Sequence, residues 1–447
     1  MRLLKIFMAL CALSMTGCAV YPDAFRSAKN EETKCLIENT SQCPSAVVFL
    51  SESENKSLGI LEIDEQGQYI DRAKANEVIN LISKSPKSNV ILYVHGWNHN
   101  AAEGNANLEY FKNAIKVIQA GNNEQKTIGI YVGWRAKIYP WYFNLVTFWD
   151  RKNVSEEVGR GALRDFILQT EEKVKEKNGK FILIGHSFGA SALFNAIEPI
   201  LTSRFYRSKK EKELKKDEAL ESVGDMVILV NPAIETMRFA QFRESVWRAG
   251  VNNSDIFSNN FKPVFISIGA ADDTATQIAF PLGRFFSTLS ENHRDLAIIE
   301  NNSGGLTTVN EANMDRTAIG NYAPFYTHWL NLIKDYDYEK EPPLSEYCTS
   351  NKEWLYESIN KKPISNDWDT GTEKGLVFRL ATTMVPSTRW SSKDLENMNV
   401  KNRTWRTNPY WFVRANSNMI YGHNGFWSTG SACFVLNLLT AEKQPNK

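Results

Sequence analysis

KFILIGHSFGASALF, residues 180–194, decides the fold. Four apolar residues lead into Gly185-His186-Ser187-Phe188-Gly189, and a small-residue run follows. The order reads as a strand, an abrupt turn and a helix. Glycines two before and two after the serine let strand and helix approach closely, so the hydroxyl projects where a substrate reaches it. A serine hydroxyl is a poor nucleophile until a base takes its proton, so the rest of the chain has to supply the base and an acid to orient it.

Outward from this turn, strand signals recur: AVVFL and LGILEID as a short pair, then NVILYV (89–94), TIGIYVGW (127–134), DMVILV (225–230), PVFISIG (263–269) and YWFVRA (410–415). Between them, stretches such as EEVGRGALRDFILQTEEKVKEK and ASALFNAIEPIL carry apolar residues at helical spacing. Near-continuous apolar strands alternating with helices predict an α/β fold, its central sheet mostly parallel and covered by helices on both faces. About 140 residues separate the last two strands, where a crossover needs only a dozen or so, so an insertion or cap is expected at about 285–405. SKKEKELKKDEAL (208–220) mixes both charge signs and reads as a solvated helix or loop.

The 447 residues are 43% hydrophobic and 12% aromatic, which is the make-up of a folded globular chain. The formal charge of +1 falls to −1 without residues 1–17, which hold Arg2 and Lys5 and no acid; this balance does not point to a nucleic-acid partner. Residues 1–17 join a short basic region to an apolar run too short for a comfortable membrane span, and Met15-Thr16-Gly17-Cys18 follows the pattern of a lipoprotein signal. Cys18 is then the lipidated residue, residues 18–45 a tether, and the cell envelope the expected location. Such signals resemble those of bacterial lipoproteins, where Ala19 after the cysteine implies the outer membrane, facing the periplasm or the surface. An ordinary cleaved signal peptide is the alternative. Cys35, Cys43, Cys348 and Cys433 permit two disulfides in three connectivities; Cys35 and Cys43 lie close enough in sequence to close a small loop, which makes Cys348 with Cys433 the natural second pair. No CxxC or Cys/His cluster suggests a metal, and no cofactor is expected.

VILYVHGWNHNA, TFWDRKNVSEEVG, GHSFGA, DDTATQIAFPLGR and IYGHNGFWS together resemble the α/β-hydrolase superfamily, in particular its serine esterase-like members, over about residues 46–436, with 437–447 left as a tail. The resemblance implies an oxyanion hole at the HGW loop: Gly96 lets the backbone come close, and the N–H groups of Trp97 and Phe188 face the developing charge. His95 and His99 in that loop are expected to orient it, and His186 to be packed and hydrogen-bonded. The chain order Ser, acid, His in this fold directs the search downstream. Some lipases carry the acid in a DPA turn, which here reads Asn231-Pro232-Ala233 and is neutral; Glu235 is a weak fallback. Alignment of the tail after PVFISIG places Asp273 as the acid, with Asp272 one residue away; two acids capping a helix are the structural alternative. His423, eight residues after YWFVRA, is the expected base, while His328 sits in an aromatic, helix-like context and His293 has no supporting context.

WRAKIYPWYFNLVTFWD, residues 134–150, is almost wholly apolar at its centre; it is a core segment, a lid or acyl-pocket wall, or a surface touching lipid. Trp134, Trp141 and Tyr142 are its pocket candidates. The expected function is hydrolysis of a carboxylic ester, with an acyl ester or lipid as substrate, through an acyl-enzyme. A thioesterase or amidase using the same triad is an alternative, as is a catalytically silent envelope binding protein.

Overall fold

The computed structural model describes residues 25, 35–36, 47–49, 56–122, 125–136, 144–213, 220–257, 262–301, 303–332, 376–380, 404–405 and 407–440. Its sheet strands in chain order are β1 (Cys35–Leu36), β2 (Val47–Phe49), β3 (Lys56–Ile63), β4 (Ser88–Val94), β5 (Lys126–Trp134), β6 (Lys180–His186), β7 (Met226–Val230) and β8 (Phe265–Ala270). A separate hairpin of β9 (Asp295–Ile299) and β10 (Leu306–Asn310) precedes β11 (His328–Leu332), β12 (Leu376–Leu380) and β13 (Tyr410–Ala415). The main sheet runs β1-β2-β3-β5-β4-β6-β7-β8-β13-β11-β12. Every pairing from β3 to β11 is parallel, while β2 and β12 add antiparallel edges. The expected α/β class and parallel sheet are therefore present.

Burial on both faces explains why the strands read as continuous apolar runs. On β4, Val90, Leu92 and Val94 enter one core, and Ile91 and Tyr93 enter the other. The first core is closed by helices α1 (Arg72–Lys84), α3 (Asn144–Arg160), α4 (Ala162–Glu176), α5 (Phe188–Glu213) and α6 (Met237–Asn252), the second by α2 (Ala106–Gly121) and the last helix, Thr429–Thr440. Each fully buried Leu, Ile or Phe contributes about 1.5–3 kcal/mol.

The helix-period stretch 156–177 divides at Gly161, where the chain of residues 64–68 inserts and Ala162 N–H donates to Gly67 O at 2.6 Å. The long interval before β13 holds α7 (Phe280–Ser287), the β9–β10 hairpin, α8 (Glu311–Arg316) and 3₁₀ turns. It also supplies sheet: β11 lies parallel to β13, with His328 opposite Val413. His328 therefore stands on a strand rather than on the helix its aromatic neighbours suggested, because β13 pairs on its side away from β8 as well. Residues 333–375 and 381–403 lie outside the described residues. Of the tether only Phe25 and the strand piece Cys35–Leu36 are described. Cys433 is buried and disulfide-bonded, while its expected partner Cys348 lies outside the described residues. Among the described residues no helix is long and apolar enough to cross a membrane.

Candidate active site

Parallel strands end on one edge, and that edge gathers the chemistry. Ser187 is the single residue between β6 and α5, with φ +55°, a left-handed conformation that a non-glycine residue holds at a cost of about 1–3 kcal/mol. Its backbone is fixed by Ser187 N–H to Val230 O at 3.0 Å, and by Ala233 N–H donating to Ser187 O at 3.3 Å. Gly189 is required because a Cβ there would lie 2.2 Å from Val94 O. The GxSxG spacing thus seats α5 against the end of β4.

His423 reaches Ser187 from the loop after β13, with Nε2 2.7 Å from Ser187 Oγ. Its Nδ1 lies 2.9 Å from both oxygens of Asp273, at the end of β8. The carboxylate sets the tautomer: Nδ1–H donates to Asp273, and Nε2 is left to accept the serine proton. Burial alone would raise the Asp273 carboxyl, but the His423 hydrogen bond and charge, with two bonds from Thr276, hold it below the usual carboxylate range. Thr276 donates its N–H at 3.2 Å and its hydroxyl at 2.6 Å. The hydroxyl in turn accepts from Asn321 Nδ2 at 2.8 Å, and Asn321 Oδ1 accepts from Arg414 on β13 at 2.6 Å. A buried chain of bonds thus fixes the acid from behind.

Three further side chains hold the histidine loop, and sequence reasoning gave none of them this role. Asn231 Nδ2 donates to Gly422 O at 3.1 Å and to His423 O at 2.9 Å, while its Oδ1 accepts from Ala270 N–H at 2.8 Å. Asp272 Oδ1 accepts from Gly422 N–H at 2.9 Å, where Gly422 has φ +58°. The ring of His186 meets His423 O through Nε2 at 2.7 Å, so Nε2 carries its proton. Burial, and then the neighbouring His423, push His186 down to about 3, so it stays neutral. The signal for Asn231 was present in the sequence: an amide stands in the turn where some lipases place the acid. An amide both donates and accepts, which the loop uses; a carboxylate only accepts.

The HGW loop follows β4, the direct neighbour of β6, with Val94 opposite Gly185. A Cβ on Gly96 would fall 2.9 Å from Ser187 Cβ and from His186 Nδ1, so the loop backbone packs directly on the turn. Phe188 opens α5, where an N–H has no preceding intrahelical acceptor and points out of the helix. The Trp97 ring packs edge-on to Phe148 at 5.3 Å and 6.3 Å from Phe188. His95 orients the loop: Nδ1–H donates to Gly96 O at 2.8 Å and Nε2 accepts from Trp134 N–H at 3.1 Å. Burial pushes His95 down to about 3, which suits neither a base at neutral pH nor a charged partner. His99 lies beside it, ring to ring at 6.3 Å.

Trp134 is buried, stacks on His95 and donates its indole N–H to His95 O at 2.9 Å. It also lines a cavity of about 360 Å³ with Glu62, Tyr69 and Arg135 at the ends of β3 and β5. Trp141 and Tyr142 lie outside the described residues. Glu235 is buried in ion pairs with Lys152 at 2.9 Å and Arg284 at 3.2 Å. His328 is buried against Trp411, its Nδ1 2.8 Å from Thr327 Oγ1. Ligand atoms of Glu291, His293 and Asp315 lie within 4.8 Å of one another, but Arg284 already pairs with Asp315 at 2.5 Å. Neither histidine meets the serine.

The site thus joins a strained serine, an imidazole and a buried carboxylate on the edge of an α/β sheet. Comparison with protein-family models, curated proteins and solved structures finds no match to the chain.

Proposed function

We propose that the chain is a serine hydrolase of the α/β-hydrolase fold that cleaves a carboxylic ester through an acyl-enzyme, held at the cell envelope by lipid on Cys18. One observation carries this: Ser187 Oγ, His423 and Asp273 form a continuous hydrogen-bonded line, 2.7 Å and 2.9 Å, from three separate strand ends. Ser187 Oγ attacks the ester carbonyl carbon as its proton passes to His423 Nε2. The Asp273 carboxylate stabilises the imidazolium so formed. N–H groups of Trp97 and Phe188 receive the negative oxygen, each worth about 10²–10³ in rate. The tetrahedral intermediate expels the alcohol, which takes the proton from His423. Water then attacks the acyl-serine by the same path and releases the acid, restoring Ser187.

The test is hydrolysis of p-nitrophenyl esters of graded chain length by wild type and Ser187→Ala. The expected result is turnover by wild type and a loss of at least about 10³-fold in the variant. Equal turnover by both, or none by wild type on esters, thioesters or amides, contradicts the proposal; in the second case the envelope binding protein is the better account.

A further inference from the structure

The helix that follows the acid turns an apolar stripe outward. From Asp273 the chain passes through a π-helical turn (Ala275–Ala279) into α7. Ile278 in the π-helical turn, Leu282 and Phe285 four and seven residues on along α7, and Leu289 in the turn just past its end are all exposed. They are 47%, 60%, 44% and 63% exposed, in a protein whose other Ile and Leu side chains largely fill two cores. The opposite side of the same segment is pinned: Phe280 is buried, and Arg284 pairs with Glu235 at 3.2 Å and Asp315 at 2.5 Å. Arg316 lies 4.9 Å over the Phe285 ring, a cation beside the stripe. The stripe is thus a fixed surface, not a frayed end.

The N-terminal chain meets the same edge of the sheet. Phe25 packs against the second core, and its N–H donates to Glu62 Oε1 at 2.8 Å, one residue from the end of β3. Phe25 lies seven residue steps from Cys18, so whatever the path between them, a lipid on Cys18 holds this edge within about 25 Å of the bilayer. Along the edge, β3 lies three strands to one side of β6 and β8 two strands to the other. At about 4.8 Å per strand, the anchored point and the start of the stripe bracket Ser187 within about 25 Å. Tyr421, two residues before His423, is 74% exposed.

We infer that this edge docks on the lipid bilayer surface through Ile278, Leu282, Phe285 and Leu289, so that the serine site opens toward the membrane and takes lipid esters from it. The inference rests on the hydrolase and anchor proposed above and adds the surface and the source of substrate. An anchor alone leaves the body free to turn; a second apolar contact on the far side of the nucleophile sets its orientation.

The experiment uses the full lipidated chain in phosphatidylethanolamine/phosphatidylglycerol vesicles carrying a photoactivatable acyl chain, with labelled peptides mapped by mass. Label within residues 278–289 is expected. Leu282→Asp with Leu289→Asp, both exposed and outside the catalytic line, should abolish that label and lower turnover of vesicle phospholipid or diacylglycerol by at least about 10-fold. Turnover of a soluble butyrate ester should stay unchanged. Label confined to residues before Phe25, or vesicle turnover unaffected by the double variant, overturns the inference. So does a concentration-dependent dimer that the double variant dissolves, since the stripe's occupant is then a second copy. Labelling is independent of chemistry, so a failure of the hydrolase proposal shows separately, as absent butyrate turnover with the label still in place.

Discussion

Replacing Asn231 by Asp exchanges the one group that both donates to the histidine loop and accepts from the end of β8. The amide nitrogen bonds two carbonyls, Gly422 O at 3.1 Å and His423 O at 2.9 Å, and the residue is buried. A carboxylate there keeps the bond from Ala270 N–H but faces both carbonyls with an oxygen. His423 O keeps the bond from His186 Nε2, but Gly422 O loses its side-chain donor, which costs an unrelaxed loop about 1–3 kcal/mol. The loop relieves this by moving away, still tied through His186 and Asp272. A shift of about 1 Å in the base costs about 10² in rate. We therefore expect Asn231→Asp to lower kcat on a p-nitrophenyl ester by about 10²-fold and to lower Tm by several degrees, measured by steady-state kinetics and circular dichroism. Activity within twofold of wild type would refute the reasoning. So would rescue of Asp273→Asn by Asn231→Asp, because the second residue faces the backbone of the loop and not Nδ1.

Asp273→Asn should lower kcat by about 10⁴-fold, since an amide no longer fixes the tautomer. Asp272→Asn keeps an acceptor for Gly422 N–H and should change kcat less than about threefold; reversed effects in the same assay would exchange the two roles. Gly96→Ala places a methyl 2.9 Å from Ser187 Cβ and should reduce kcat at least about 10²-fold and lower Tm, since overpacking a buried turn costs about 1–3 kcal/mol; both are read on one preparation. His95, His186 and His328 are each pushed from 6.5 down to about 3 by burial. The unfolded chain then binds more protons below about pH 6.5, so their contribution is complete above that pH and is lost as pH falls toward the folded values. At pH 5 each loses about 2 kcal/mol, a steep acid destabilisation to be followed by urea unfolding between pH 7 and 5. A midpoint that stays level over that range would contradict neutral burial of these rings.

Seven of the eight parallel strands were legible because their residues are buried on both faces, which leaves apolar runs such as VILYV and MVILV with little alternation. The serine turn was legible because its glycines sit where backbone leaves no room for a side chain, the end of β4 at Gly189 and the start of α5 at Gly185. What the sequence hid has a common cause. β11 and β12 are only five residues each, and their place depends on β13, far along the chain. The grip of Asn231, His186 and Asp272 on the histidine loop runs through backbone atoms of Gly422 and His423, and a backbone acceptor leaves no residue pattern. Cooperation across 192 residues of separation, as between Asn231 and His423, becomes visible only once the strands bring the loops together.

The account stands most directly on whether His423 and Asp273 make Ser187 a nucleophile. Fluorophosphonate treatment of the intact protein, followed by peptide mapping, measures this without a known substrate. The account predicts one stoichiometric adduct on Ser187 in wild type, with labelling slowed by at least about 10³-fold in His423→Ala. No adduct on Ser187, or equal labelling when His423 is replaced, would contradict it.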